Sequence, residues 1–434
     1  MSPETVGLIG ICVLLVLMFL KMPIGFCMAF IGGLGMLLLK GYSPMISLFG
    51  TEPFSHASDY ILSVIPLFVF MGFLAAYTPM GSEAFYTLNK WIGHLPGGLA
   101  MGTVGACTIF AAICGDPIST AATITSVSLR EMRKYNYKDH FSLASIASGG
   151  NLGFLIPPSL IFIVYAIMTE QSVGTLFISG ILPGLMLSAM FMVTIYIVAK
   201  WNPQVAPPAP AVSWSERLSS TPRVFWVLVV IILVLGGIYG GVFTPTEAGA
   251  VGSLVMLIIA LIRKQLPWKN FKLTLSDTAM MVGRVFILII GAFIFNRFLV
   301  STDFPQAVAS FVAGFVMPRY ATLAIVLIVY LIIGCIMDIA AIILVLVPIL
   351  HPLLVQLGFD PVWLAVLTTI TVLIGQVTPP VGIVVFALSG MTDVPSFTIY
   401  RGCLPFIYAM LIGLVILIIF PEISLFLPYT MRPA

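Results

Sequence analysis

Two pairs of interrupted segments contain the residues whose types and spacing could bind an ion. In the first half of the chain, GDPISTAA begins at Gly115 and GNLGFLIPPS begins at Gly150. In the second half, GCIMDIAA begins at Gly334 and GQVTPPVG begins at Gly375. Each Pro-Pro pair is expected to break a helix, and lipid tolerates the unpaired backbone groups of a break only where protein or water satisfies them. Such groups can serve as ion ligands, so we expect binding sites at the breaks.

Several polar side chains accompany these segments, and each has a structural and a functional interpretation. Asp116 and Asp338 could cap helix N-termini or coordinate a cation. We expect coordination by Asp116 and capping by Asp338. Thr120, Asn151 and Ser119 could either hold helices together or supply oxygen ligands. We expect Glu247, after Thr244-Pro-Thr246, to be a structural carboxylate at a helix start.

Arg297 lies within the apolar segment GAFIFNRFLVST, where a charged side chain needs a partner. Its guanidinium could bind the carboxylate or sulfonate of a substrate, because its forked donors match such groups. It could also be paired within the protein, or extend to the membrane surface. Both interpretations stay open on the sequence alone.

The composition places the chain in a membrane. Of 434 residues, 60% are hydrophobic and 8% are charged, and the mean hydropathy is +1.15. Soluble domains carry about 25% charged residues. The net charge of +3 does not indicate nucleic acid, because the basic residues lie at the ends of apolar runs. The six cysteines are typical of small apolar residues in spans, and no metal-ligand spacing or cofactor motif is present.

The apolar segments predict an all-helical polytopic protein. We expect Val6–Leu20 to be a retained helix, because the basic residues and cleavage site of a signal peptide are absent. The stretches 98–129 and 320–358 are too long for one crossing, so we predict re-entrant helical hairpins. The stretches 141–169 and 361–393 contain the Pro-Pro pairs and are predicted to be broken helices. The other predicted spans are 5–20, 22–39, 60–78, 174–199, 223–243, 246–262, 278–300 and 402–427.

The basic residues predict the orientation. With the N-terminus outside, most lysines and arginines of the loops, including Lys21, face the cytoplasm, and only Lys40, Arg319 and Arg432 face outward. This asymmetry agrees with the positive-inside rule and with the two hairpins.

The two halves resemble each other around the proline-rich loop Trp201–Arg223, which we expect to be an extended, solvated linker. Pro318 follows Pro96 by the same number of residues as Pro379 follows Pro157. Gly334 follows Gly115 by nearly the same number. With the orientation above, the repeats are inverted, which is typical of secondary transporters. A channel with re-entrant loops is the alternative, and a membrane enzyme is disfavoured because no catalytic constellation is visible.

These motifs resemble the large membrane subunit of the tripartite ATP-independent periplasmic (TRAP) transporters. The resemblance rests on GDPISTAATI, GNLGFLIPPS, TPTEAGAVG, GCIMDIAAIILVLVP and GQVTPPVG, which span nearly the whole chain. It implies sodium-coupled import of a small organic anion by an elevator mechanism, with a small four-helix membrane subunit and a periplasmic substrate-binding protein as partners.

The resemblance also implies the binding residues. One sodium ion would be held by Asp116, Ser119, Gly153, Leu155 and Pro157, and another by Gly334, Gly375, Thr378 and Val381. The substrate would contact Arg297, Thr120, Asn151 and Asp338. The first tip departs from the family pattern, because Cys114-Gly-Asp-Pro117 replaces the usual Ser-Gly-Ser-Ser.

The resemblance further implies a multi-pass protein of the bacterial inner membrane with a periplasmic N-terminus. It divides the chain into scaffold and transport segments. Scaffold and arm helices are expected in 1–95, 171–275 and 276–317, the two halves of the transport domain in 96–170 and 318–395, and a C-terminal helix in 396–434.

Overall fold

The computed structural model describes residues 2–20, 22–313 and 317–431. Lys21 and Arg432, which contribute to the predicted orientation, lie outside these residues. Within the described ranges the chain is helical, with turns and irregular connections between the helices. This confirms the all-helical class.

The described residues of the first half of the chain form ten α-helices, which are α1 Pro3–Phe19, α2 Ile24–Lys40, α3 Tyr42–Ala57, α4 Val64–Ala76, α5 Met80–Ile92, α6 Gly98–Cys114, α7 Pro117–Lys134, α8 Asp139–Asn151, α9 Leu160–Thr169 and α10 Val173–Trp201. Short 3-10 turns precede α4 at Tyr60–Ser63 and follow α8 at Leu152–Phe154.

The remaining helices of the described chain begin with a short helix in the linker, α11 Trp214–Ser220, and continue with α12 Pro222–Tyr239, α13 Pro245–Ile262, α14 Trp268–Ser301, α15 Phe304–Ala313, α16 Arg319–Gly334, α17 Ile339–Gln356, α18 Pro361–Gln376, α19 Ile383–Met391, α20 Ser396–Ile419 and α21 Glu422–Thr430. The C-terminal segment therefore contains two helices where one was expected.

The helices of the two halves correspond at one constant offset, which is the separation of Pro157 from Pro379. At this offset, α17 begins and ends where α7 does, and α18 begins where α8 does. Asp116 and Asp338 are the N-caps of α7 and α17, so they are equivalent positions. In the alignment of the two halves, Asp116 therefore corresponds to Asp338. The sequence motifs alone instead align Gly115 with Gly334.

Both hairpin tips are built by helix-capping side chains. Gly115 ends α6 with φ +63°, and the Asp116 carboxylate accepts a bond from the Ser119 backbone N–H at 2.7 Å. In the second tip, the Asp338 carboxylate accepts from the Ala340 N–H at 3.0 Å. Each carboxylate also compensates the positive end of its helix. Capping by Asp338 is confirmed, and Asp116 caps in the same way.

Both broken helices stop before their proline pair. Helix α8 ends at Asn151, and α9 starts at Leu160 after Ser159 caps it. Helix α18 ends at Gln376, and α19 starts at Ile383 after Gly382, whose φ is +46°. Prolines cannot donate a backbone hydrogen bond, so neither helix continues through its pair. The two predicted breaks are confirmed.

Six helices of the described chain are long and apolar enough to cross a membrane, or seven if the bent segment Tyr42–Ala76 counts as one span. That segment bends by 53° before Tyr60. Helix α14 is 34 residues long and extends well before the predicted span 278–300, because no Pro or Gly interrupts its start. Re-entry of the hairpins on one membrane side stays a prediction.

Two further expectations about local structure have different outcomes. Glu247 forms a capping box with Thr244, which confirms its structural role.

The linker Trp201–Arg223 is not a solvated, extended connection throughout, because it contains α11 and buries Ala206. Its carbonyls at Val205 and Ala206 accept backbone bonds from the helix junctions at Lys138 and Gly97. The prolines lack N–H groups, but the carbonyls between them remain free to bond.

Gly375 is predicted to be essential for packing the second hairpin against the second break. A Cβ at this position would lie 2.7 Å from the Gly334 Cα and 2.8 Å from the Cys335 nitrogen. Gly375→Ala should therefore lower the free energy of unfolding by about 1–3 kcal/mol. Thermal unfolding in detergent measures this loss. Gly390→Ala is the matched control, because no atom lies within 4 Å of the place its Cβ would take. Equal melting temperatures for the two variants would contradict this packing.

Candidate functional site

The first hairpin tip contacts the first broken helix. A Cβ on Gly115 would collide with the carbonyl oxygen of Pro158, and a Cβ on Gly153 would lie 3.3 Å from the carbonyl carbon of Asp116. Glycines at both positions therefore allow the tip backbone to touch the break. The structure brings together Asp116, Gly153 and the Pro157–Pro158 segment.

A small cavity of about 30 Å³ adjoins this tip, lined in part by Asp116, Ser119 and Gly72. Such a volume can hold a water molecule. The Thr120 hydroxyl, which is buried, donates to the Asp116 carbonyl at 2.7 Å. The Leu155 carbonyl packs against Gly180 of α10, and its place in the first sodium site stays a prediction. The cavity thus has polar oxygens from the tip and apolar walls from α4 and α14.

The second tip is joined more tightly to its break. Gly334 and Gly375 are in backbone contact, and the Val381 N–H donates to the Cys335 carbonyl at 3.1 Å. The Thr378 hydroxyl donates to the Ile374 carbonyl at 2.5 Å, which leaves its oxygen lone pairs available. The four residues of the predicted second sodium site therefore belong to one connected backbone cluster.

Two side chains at the second break were missed by the sequence analysis. The buried Gln376 amide donates to the carbonyls of Gly334 at 3.1 Å and Met337 at 3.0 Å. The Tyr400 hydroxyl donates to the Val381 carbonyl. The sequence did contain a signal for Gln376, because it is an amide side chain beside Gly375 in an apolar helix. Tyr400 is distant in sequence and gave no such signal. Both side chains orient backbone groups of the predicted second sodium site.

One hydrogen bond connects the two breaks. The Asn151 side-chain amide donates to the Leu373 carbonyl at 3.1 Å, and both residues are buried. Leu373 is the position equivalent to Asn151 in the second repeat, because both lie at the same place in α8 and α18. Equivalent positions that touch each other must lie at the axis relating the two halves. Asn151 is therefore at the junction of the two halves, and its side-chain oxygen has no hydrogen-bond partner among the described residues.

Asp338 lines a separate cavity of about 470 Å³ between the second tip, the end of α1 and the start of α2. The other described lining residues are apolar, including Met18, Met22 and Met337. An ionised carboxylate in this position repels an anion. The predicted contact of Asp338 with an anionic substrate is therefore electrostatically unfavourable unless a cation lies between them.

Arg297 is paired within the protein. Its Nε donates to Glu52 at 2.9 Å, and the other oxygen of Glu52 contacts His56 Nε2 at 2.9 Å. Glu52 is buried, whereas the Arg297 side chain is 67% exposed. Met281 of the same helix lines the Asp116 cavity, and Arg297 lies about 24 Å further along α14. The structure does not bring Arg297 to the first tip, and its contact with substrate stays a prediction.

Hairpin tips that dock on broken helices, once in each half of the chain, are typical of membrane transport proteins. The sequence profile of the family "Tripartite ATP-independent periplasmic transporter, DctM component" matches residues 11–423. The chain belongs to this family and is a TRAP transporter permease.

Relatives extend over most of the chain. It is 36% identical over 86% of its length to the C4-dicarboxylate TRAP transporter large permease protein DctM of Pseudomonas aeruginosa, of which it covers 88%. It is 33% identical over 93% of its length to the ectoine TRAP transporter large permease protein TeaC of Halomonas elongata, of which it covers 92%.

A solved structure shares the fold. The YdaH transporter of Alcanivorax borkumensis superposes with a TM-score of 0.62, at 12% identity, over 90% of this chain and 91% of that one. At this identity the similarity concerns the fold alone.

Replacing Asn151 by Asp should weaken the junction between the breaks. An ionised carboxylate has the same shape but cannot donate to the Leu373 carbonyl, so stability should fall by about 1–3 kcal/mol. Thermal unfolding of the purified protein measures the change. Asn202→Asp introduces the same charge at the exposed C-terminal end of α10, where only the helix dipole opposes it, and should lower the free energy of unfolding by less than about 1 kcal/mol. Similar melting curves for both variants would show that the Asn151 bond adds nothing.

Proposed function

We propose that this chain is the transport subunit of a sodium-coupled carrier that imports a small organic anion by an elevator motion. The observation that carries the proposal is the pair of hairpin tips docked on two broken helices around one axis. Such breaks supply carbonyl oxygens and helix ends where coupling ions and substrates bind.

Sodium as the coupling ion is supported by the chemistry of the tips. Asp116 and Asp338 already compensate the positive helix ends, so the tips offer oxygen atoms and negative charge. Hard cations prefer oxygen ligands. We assign one ion to Asp116 and Ser119 with the backbone of Gly153, and another to Gly334, Gly375, Thr378 and Val381. The proposed first site also includes the carbonyls of Leu155 and Pro157.

The substrate class is supported by the relatives, which are named for C4-dicarboxylate and for ectoine. These compounds are small and carry carboxylate groups, so a carboxylate or a related sulfonate is the proposed cargo. Thr120 and Asn151 lie beside the first tip and would contact the substrate. Asp338 lines the separate cavity at the second tip and would contact an anion only with a cation between them. Arg297 would reach the substrate only after the hairpins move relative to α14, which an elevator motion provides.

The partners and location follow from the family. We propose that the chain works with a small membrane subunit and with a periplasmic substrate-binding protein that delivers the anion. We also propose that it lies in the inner membrane with its N-terminus outside.

A channel with re-entrant loops is the alternative function. Uptake of labelled carboxylates and sulfonates into proteoliposomes should require a sodium gradient and all three proteins. A sustained ohmic current without substrate would contradict a carrier.

Sodium binding at the second break can be tested without knowing the substrate. Sodium should raise the melting temperature of the purified chain, whereas choline should not, because an ion that binds only the folded state stabilises it. Thr378→Val removes one oxygen ligand and should raise the sodium concentration for half of this effect by about tenfold. Thr392→Val is the matched control, because the Thr392 hydroxyl makes the same bond to a carbonyl four residues earlier, outside the site. An unchanged sodium response in Thr378→Val would remove this residue from the site.

The role of Arg297 can be separated from its pairing with Glu52. Arg297→Ala should reduce uptake by at least about tenfold while the protein still elutes as a folded species, because a charge-assisted contact with the anion is lost. Glu52→Gln keeps the shape and removes the ion pair, and it should retain most of the uptake. An equal loss of uptake in both variants would assign Arg297 to the pair with Glu52 and not to the substrate.

A further inference from the structure

A groove on the outer surface of the helical bundle runs between α5, α6 and α12. Its volume is about 870 Å³, and its walls are mainly apolar, formed by Leu88, Trp91, Ile109, Phe225, Trp226 and Leu228. Phe225 and Leu228 are 56% and 42% exposed. The groove is therefore open at the surface and is wide enough for hydrocarbon chains.

Basic side chains cluster at the end of the groove where α12 begins. The Arg223 guanidinium lies 4.5 Å from the centre of the Tyr86 ring, and the Lys90 ammonium lies 5.6 Å from the same centre. Arg217 of α11 stacks on Trp214 at 5.0 Å. Trp214 contacts Trp91, which lines the groove, with ring centres 6.2 Å apart. The three cations thus surround one mouth of the groove.

These cations are only partly neutralised by the protein. Glu216 pairs with Lys90 at 2.8 Å, and this hydrogen bond raises the pKa of Lys90 and lowers that of Glu216. In the part of the chain that the structure describes, neither Arg217 nor Arg223 forms an ion pair. The Nε of Arg217 is buried without an acceptor among those same residues. Two positive charges at this mouth therefore lack a carboxylate partner among the described residues, which favours an anionic ligand.

The sequence of α12 predicts that the cluster lies at the boundary between lipid and water. Helix α12 is long and apolar enough to cross a membrane and starts at Pro222, so Arg223 is at its first turn. Tryptophans such as Trp91 and Trp214 are typical of the headgroup layer. Basic pockets between membrane helices on the cytoplasmic side are suited to anionic headgroups, and the sequence predicts this end of α12 to be cytoplasmic.

We propose that this groove binds one anionic diacyl phospholipid. Its phosphate accepts hydrogen bonds from Arg217 and Arg223, and its acyl chains lie along Leu88, Ile109 and Leu228. The charge excess at the mouth favours an anionic lipid over a zwitterionic one. The lipid would also bridge α5 and the end of the linker, which the Trp91 indole already joins through its bond to Thr221 at 3.2 Å.

Native mass spectrometry of the full chain tests this site. The protein is equilibrated with phosphatidylglycerol and phosphatidylcholine of the same acyl chains, and we expect retention of one phosphatidylglycerol. Arg217→Gln and Arg223→Gln should each weaken its binding by about fivefold. Arg401→Gln is the matched control, because Arg401 also stacks on an aromatic ring, that of Phe397 at 4.8 Å, but does not line the groove.

A second variant tests the acyl-chain part without changing charge. Leu228→Trp fills the groove from an exposed position and should also reduce retention while the melting temperature is kept. Equal retention of the two lipids by the wild type, or the same retention in Arg223→Gln and Arg401→Gln, would overturn the proposal. Loss of a co-purified small membrane subunit from Arg223→Gln with unchanged lipid retention would likewise overturn it, and would assign the groove to that protein.

Discussion

The architecture depends on one constraint, which is that a helix broken inside the bilayer must have its free backbone groups satisfied by protein or by enclosed water. Each break meets this requirement by contact with the tip of its own hairpin. Gly153 allows the approach of Asp116, and Gly375 allows the approach of Gly334. Gln376 then donates to two carbonyls of the second tip. The proposed ion sites arise because the groups that satisfy the breaks are oxygens already placed close together.

The two sites satisfy the same constraint by different chemistry. The first tip packs beside its break through glycines and leaves a cavity next to Asp116 and Ser119. The second tip is held by the side chains of Gln376 and Tyr400. The second site is therefore the more tightly connected cluster, and the first has room for rearrangement. Ions at the two proposed sites would differ in affinity because of these unlike surroundings, although the helices that form the sites are equivalent.

The helix starts at the two tips, the breaks and the repeat could be predicted from the sequence, because Gly, Asp and Pro act locally and their effects can be recognised from neighbours in the chain. Partners that are distant in sequence could not be predicted. Glu52, which pairs with Arg297, is 245 residues away, and Tyr400 contacts Val381 from another helix. The linker was misjudged for the same reason, since its prolines indicated an extended chain while its carbonyls bond to the junctions near Gly97 and Lys138.

The bond between Asn151 and Leu373 has a consequence for the symmetry of the two halves. A residue on a two-fold axis faces its own equivalent, so two identical halves would place the same side chain on both sides of that point. The acceptor at Leu373 is a backbone carbonyl, so the bond needs an asparagine in only one half. The leucine side chain of the other half adds no polar group to the contact. The centre of the protein is therefore asymmetric, because one half supplies a side-chain donor and the other supplies only its backbone.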